Sequence, residues 1–250
     1  MKIELHNKNI LVTGASRGIG AAIAKELGKS GARIAIHYNK EQETAEDVAE
    51  SIGNGSKIFK ANLQDPVNCE MLFKDVLEEF GHLDAIINNA GTAIVSPLDS
   101  ENWVKEWDET MSINLRAVGI LCNLAIQHFK TRKSGRIINI ASRAAFRGDT
   151  AEFLAYAASK GGVVSLSKSI ARAFGKDGIT CFVIAPGWVK TDMAEDSIKE
   201  YGEEFILRGN SLDRLTEPRD IAPIVTLLAS GLADHATGTT IDINAASYVH

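Results

Sequence analysis

The chain has little of what staples, anchors or metallates a protein. Its three cysteines, Cys69, Cys122 and Cys181, are far apart and form no C-x-x-C pair. Neither a zinc site nor a disulfide framework is expected from that spacing, and reduced thiols are. The histidines (His6, His37, His82, His128, His235 and His250) are scattered, with no two at metal-ligand separation, so no metal site is expected. No apolar run approaches the roughly 18 residues of a membrane span. The opening MKIELHNKN is too polar for a secretory leader. The expectation is a cytoplasmic protein with no membrane partner. Clusters of Lys and Arg are missing as well: 27 basic against 32 acidic residues give a net charge of −5, which argues against a nucleic-acid surface. Linkers, low-complexity stretches and repeats are absent, so residues 1–250 read as one domain.

What is present is regular alternation. A hydrophobic content of 45% with 24% charged residues suits a globular chain. Short apolar runs at 9–13, 33–38, 57–61, 84–88, 136–141, 180–185 and 239–244 read as strands. Helical periodicity follows them to about residue 30, then at 41–52, 66–80, 101–130 (bent near 108–112), 153–174 and 218–230. Strands with near-continuous apolar character, each followed by a helix, predict an α/β fold with a doubly wound parallel sheet and helices on both faces. Ligands bind such sheets outside the carboxyl ends of the strands.

Four strand ends carry punctuation. The first is Thr13-Gly14-Ala15-Ser16-Arg17-Gly18-Ile19-Gly20, a G-x-x-x-G-x-G turn between a strand and a helix. Glycines there let the backbone approach a pyrophosphate, and the helix N-terminus offers free N–H groups. The others are Asn88-Asn89-Ala90-Gly91, Ser142 and Pro186-Gly187. Turns favour Gly, Asn and Ser on their own account, which explains each point singly but not their company with Tyr156 and Lys160. Those two stand four apart in a helical stretch, hence on one face. An ammonium that near a phenol is expected to pull its pKa down toward neutrality and make it a general acid or base. The bland reading of the pair is a half-buried ring beside a solvated lysine.

Taken in order, the glycine turn, Asn88-Asn89-Ala90-Gly91, Asn114, Ser142, Tyr156-x-x-x-Lys160 and Pro186-Gly187 with Thr191 resemble the classical short-chain dehydrogenase/reductase family over essentially the whole length. Within it the chain is similar to the 3-oxoacyl-carrier-protein reductase-like branch. The resemblance implies a single Rossmann domain and hydride transfer between NAD(P) and a carbonyl or alcohol carbon. It implies a proton donor in Tyr156, a ribose-binding partner in Lys160, a substrate-oxygen ligand in Ser142 and, in Asn114, a residue holding a relay water. Asn114 read by itself is a helix-bend residue. The resemblance also implies cofactor contacts from Gly14, Ser16, Arg17, Gly18, Ile19 and Gly20, from Tyr38 and Asn39, from Asn62 and Leu63, and from Asn89, Ala90 and Gly91. Tyr156, Lys160, Pro186, Gly187, Val189 and Thr191 complete that set.

NADP(H) is the expected cofactor. The end of strand two carries Tyr38 where an acid would bind both ribose hydroxyls in an NAD enzyme, and Arg17 is available for a 2′-phosphate. Otherwise Arg17 is a solvated arginine. The expected activity is NADPH-dependent reduction of a 3-oxoacyl thioester or related small ketone. Oxidation of an alcohol or sugar is the other enzymatic reading, and a non-catalytic dinucleotide sensor the reading of another class. Residues 143–153 and 188–215 are expected to line the substrate pocket. In them Arg143 and Arg147 are candidates to meet an anion, and Ala194-Glu195-Asp196-Ser197-Ile198-Lys199-Glu200 is a candidate lid. Lys130, Arg132 and Lys133 are candidates for docking an acidic acyl-carrier protein. Relatives of this size imply a homotetramer, with Gly161 and Gly162 allowing close helix approach.

Overall fold

The structure, a computed structural model, describes residues 3–192, 194 and 202–249. Strands β1 (Asn9–Val12), β2 (Arg33–Tyr38), β3 (Lys57–Lys60), β4 (Ala85–Asn88), β5 (Gly135–Ile140), β6 (Ile179–Pro186) and β7 (Thr240–Ile243) form one sheet in the order β3-β2-β1-β4-β5-β6-β7. Every neighbouring pair is parallel, for example Leu11 beside Ala35 and beside Ile86. The order reverses between β1 and β4, and a crevice opens at such a switch point.

Alternate residues of each strand feed two separate cores. Leu11, Ile86 and Ile137 point into one, packed beneath α3 (Pro66–Phe80), α5 (Ala117–Arg132) and, after the short α6 (Ala144–Arg147), α7 (Leu154–Phe174). Ile10, Val12, Ile87 and Ile138 point into the other, beneath α1 (Gly18–Lys29), α2 (Gln42–Ile52) and the helix Pro218–Ser230. Local chemistry sets the helix starts. Asp65 accepts the Val67 N–H at 2.9 Å with Pro66 in the first turn, and Glu217 and Asp220 form a reciprocal capping box ahead of Pro218.

The expected long helix between β4 and β5 is α4 (Trp103–Met111) and α5 joined without a break by a π-helical turn, Ser112–Arg116. The irregularity therefore lies just beyond the expected bend at 108–112, and Asn114 sits inside it. Topology corrects one expectation. Lys130, Arg132 and Lys133 precede β5 and so lie on the amino edge of the sheet, about 20 Å of strand away from the carboxyl edge. They are also engaged there: Lys130 and Lys133 pair with Asp177 at 3.9 and 3.5 Å, and Arg132 with Asp84 at 3.7 Å. They cannot line a pocket mouth on the opposite rim. Among the described residues no helix is long and apolar enough to cross a membrane.

Candidate active site

The rim near β1 is built by backbone groups and the side chains that hold them. Thr13, at the end of β1, accepts the N–H groups of Asn89 and Ala90 at 2.9 and 3.0 Å. Asn89 returns its amide to the carbonyls of Thr13 and Gly14 at 3.0 and 3.1 Å. The first glycine turn is thereby stitched to the β4 loop. Gly14 and Gly18 both have positive φ, +62° and +56°, where a side chain is strained. Gly20 is required for another reason: a methyl there would lie 2.2 Å from the Gly14 carbonyl oxygen and 2.5 Å from the Asn89 amide nitrogen. Arg17, at the N-cap of α1, places no side-chain hydrogen bond on the first turn, so those amides face the crevice uncapped.

His37 supports the same turn from β2. Its Nδ1 accepts the Gly14 N–H at 2.9 Å, which leaves Nε2 to donate to the Ala61 carbonyl at 3.1 Å. Burial pushes its pKa down to about 4 despite the Ala61 bond, so the ring is neutral at pH 7. Thr13 opens the glycine-turn motif, where spacing assigns it no role, and His37 lies outside the motifs; both hold the turn in place.

The rim near β5 is built by ionisable side chains. Ser142 follows β5 and its hydroxyl accepts the Ala144 N–H at 3.1 Å. The same hydroxyl lies near the Tyr156 phenol, which α7 presents, and pulls its pKa down. Lys160, one turn on, is buried; its Nζ donates to the Ile140 carbonyl at 2.9 Å and lies 5.7 Å from the Tyr156 ring centre. Desolvation pulls the ammonium down to about 8. The expected fall of the phenol pKa is not what this site gives. Burial moves it up, the Asp149 charge adds to the rise, and the Ser142 hydroxyl only partly opposes it. The largest cause is the loss of water around the ring, which helical spacing does not report.

Asn114 is fully buried and its amide is committed. It donates to the Thr92 carbonyl (2.8 Å) and to the Ser159 hydroxyl (3.1 Å), and accepts the Thr92 N–H (2.8 Å). Ser159 in turn donates to the Tyr156 carbonyl at 2.7 Å. Gly91 is the meeting point, since a methyl on it would stand 3.2 Å from Asn114 Oδ1 and 3.4 Å from Lys160 Nζ. The β4 loop, the π-helical turn and α7 thus converge on one spot.

The remaining expected residues fall as follows. Ser16, Ile19, Ala90 and Gly91 line the same crevice edge, half-buried. Arg17 is exposed and pairs with Asp192 at 3.0 Å. Thr191 packs 3.4 Å from where a Gly18 methyl would be, so the segment after β6 closes on the glycine turn. Pro186 ends β6, the Gly187 N–H bonds the Ile243 carbonyl at 3.1 Å, and Val189 is buried against Thr216. Tyr38 departs from its expected place: its ring is in the core with Ile34 and Ile36, leaving exposed Asn39 and Lys40 at the end of β2. Leu63 is likewise a core residue, and exposed Asn62 accepts the Gln64 N–H at 3.2 Å. Gly162 is occupied inside the chain, since a methyl on it would lie 2.7 Å from the Leu115 side chain, so only Gly161 remains open for an approaching helix. Of the expected lid, Ala194 is buried and residues 195–200 lie outside the described residues.

A glycine turn at a sheet switch point, facing a Ser-Tyr-Lys cluster on the adjoining strand ends, defines a dinucleotide-binding α/β protein. The chain belongs to the short-chain dehydrogenase family, whose model matches residues 8–202. Within the family it is similar to the 3-oxoacyl-[acyl-carrier-protein] reductase FabG of Staphylococcus aureus, at 37% identity over 245 residues, 97% of this chain and 98% of that one. The protein of the same name from Vibrio cholerae is 33% identical over 250 residues, 99% and 100% of the two chains. Among solved structures, a dehydrogenase/reductase from Sinorhizobium meliloti superposes with a TM-score of 0.90 at 34% identity, covering 99% of this chain and 98% of that one. A short chain dehydrogenase from Burkholderia cenocepacia, in complex with NADP, gives 0.88 at 32%, covering 98% and 99%.

Proposed function

We propose that the protein is an NADP(H)-dependent reductase that converts the ketone of a 3-oxoacyl thioester, or a related small ketone, to the alcohol, with Tyr156 as proton donor. The observation that carries this reading is the cluster of Ser142, Tyr156 and the buried Lys160 on the rim that also holds the glycine turn, with Lys160 Nζ 5.7 Å from the Tyr156 ring centre. The residues present fit the dinucleotide. The uncapped amides of α1 and the positive-φ glycines of the turn, which Gly20 lets close tightly on itself, form a cradle for a pyrophosphate. Arg17, Lys40 and the absence of a carboxylate at the end of β2 suit a 2′-phosphate. When bound, the cofactor supplies the hydride.

The chain's own groups do the rest. Ser142 holds the carbonyl oxygen, where negative charge grows. Tyr156 gives that oxygen a proton, and a phenol raised by burial is protonated and ready to do so at pH 7. Lys160 binds the ribose and keeps a positive charge near the phenol as it ionises. With the Asn114 amide committed, a relay water is left to the main chain of the π-helical turn. An acyl-carrier protein is the carrier that the relatives' name suggests, and a homotetramer is the assembly proposed from the family resemblance.

Rates at 340 nm with acetoacetyl thioesters, simple ketones, quinones and sugars, each with NADPH and NADH, test the reading. Acetoacetyl thioester with NADPH is expected to be fastest, and preference for NADH would reverse the cofactor assignment. In Tyr156→Phe turnover is expected to fall at least about a thousandfold, several kcal/mol of barrier, with cofactor binding retained. Unchanged turnover would remove Tyr156 from the chemistry.

A further inference from the structure

Arg143 stands next to the substrate-binding serine and, among the described residues, has no carboxylate within ion-pair distance. It is 8% exposed, as little as Ser142 at 9%, and is the single arginine in the buried class among the described residues. Its backbone N–H bonds the Pro186 carbonyl at 3.0 Å, which seats it between the Ser142 turn and the Pro186-Gly187 turn. Its guanidinium touches the Ser247 hydroxyl through Nη1. That is one neutral partner for a group with five N–H donors.

The other arginines show what is missing. Arg136 holds Asp234 through two bonds of 2.8 and 3.1 Å, and Arg214 holds Asp220 through two of 2.6 and 2.7 Å. Asp149, the carboxylate whose field reaches Arg143, is instead 3.9 Å from Arg147. Among the described residues no carboxylate lies within ion-pair distance of Arg143. Buried charges are ordinarily paired, because an unpaired one keeps the full cost of leaving water. Arg143 accordingly carries that cost, which pulls its pKa down to about 10.

We propose that the missing anion arrives with the substrate: Arg143 receives a carboxylate borne by the ketone itself, so the site accepts a short free oxo acid. This rests on the reductase reading above and narrows its substrate class. A planar guanidinium one residue from Ser142 matches a carboxylate a bond or two from the carbonyl that Ser142 holds. The phosphate of a carrier arm, many bonds from the reacting carbon, does not reach this depth.

The test compares acetoacetate with ethyl acetoacetate, which has the same ketone without the charge, in NADPH-dependent rate, and reads acetoacetate binding to the NADP⁺-loaded protein by calorimetry. The wild type is expected to favour the acid at least about tenfold in kcat/KM, a charged hydrogen bond's share. Arg143→Met should abolish that preference with less than about threefold effect on the ester, and Arg143→Lys should keep part of it. Ser247→Ala should retain the preference, because it removes the neutral partner and leaves the charge. Equal rates for acid and ester in the wild type, or equal losses on both in Arg143→Met, would overturn the inference. So would a Ser247→Ala variant that behaves as Arg143→Met does, which would make Arg143 a strut for the C-terminal turn. If ester and thioester are reduced while acetoacetate neither binds nor reacts, the inference fails and the reductase reading stands. If acetoacetate binds through Arg143 but no ketone is reduced, the reverse holds.

Discussion

The two rims of the crevice are made differently. Around β1, β2 and β4 the groups that meet are main-chain amides and carbonyls, held by Thr13, His37 and Asn89, all neutral. Around β5 and β6 they are ionisable side chains held away from water: Tyr156 raised and Lys160 drawn to about 8. A binding rim needs a fixed shape, and backbone contacts that tolerate no extra atom provide one. A reacting rim needs side chains that can give a proton or meet developing charge, and these provide them. The difference shows where a substitution should cost affinity and where it should cost turnover.

Gly20→Ala should break the contrast most sharply. The added methyl meets a backbone oxygen at 2.2 Å, which cannot move aside cheaply. NADPH affinity is expected to fall at least about a hundredfold, a loss read by fluorescence titration, while Gly161→Ala serves as the control on the other rim. An unaltered affinity would mean the turn is looser than its contacts imply.

His37 sharpens the comparison through pH. Its folded pKa of about 4 lies below the ordinary 6.5, so between those values the unfolded chain binds a proton that the folded chain refuses. Stability from this residue is therefore present above pH 6.5 and lost as pH falls toward 4, by about 3 kcal/mol across the window. His37→Gln keeps a donor and an acceptor without titrating. Urea unfolding at pH 7 and pH 4.5 should show the variant losing less stability on acidification than the wild type; equal losses would point to another group.

The smallest effect is expected in α7. A methyl at Gly161 finds only the Ala145 carbonyl at 3.7 Å, an ordinary contact. Gly161→Ala should stabilise by about 0.5–1 kcal/mol through helix propensity. A fall in thermal midpoint would report a neighbouring chain packed on that glycine.

Much of this was legible in the chain. Apolar runs ending at Gly14, Asn88, Ser142 and Pro186 are what parallel strands leave at their carboxyl ends, and Tyr156 with Lys160 follows from helical spacing. What was not legible depends on side-chain direction and burial. Tyr38 is at the predicted end of β2, but pleat parity sends its ring inward with Ile34 and Ile36. His37, one residue earlier, meets Gly14 across 23 positions, a contact without a local signature. The phenol shift depended on how much water the fold removes, and spacing carries no measure of that. The Ala245-Ala246 pair after β7 adopts left-handed geometry at φ of +53° and +55°, a turn with no glycine to mark it in the sequence.

The helix that passes behind the crevice has one further consequence. Each residue of an α-helix turns the chain by about 100°, and the wider turn at Ser112–Arg116 takes in an additional residue. The rod from Trp103 to Arg132 therefore absorbs one residue without turning its two halves against each other. Shortening it by a single residue there would close the wide turn to ordinary α geometry: the apolar stripe of α5 would keep its bearing, and the amide of Asn114 would lose the place the wide turn gives it.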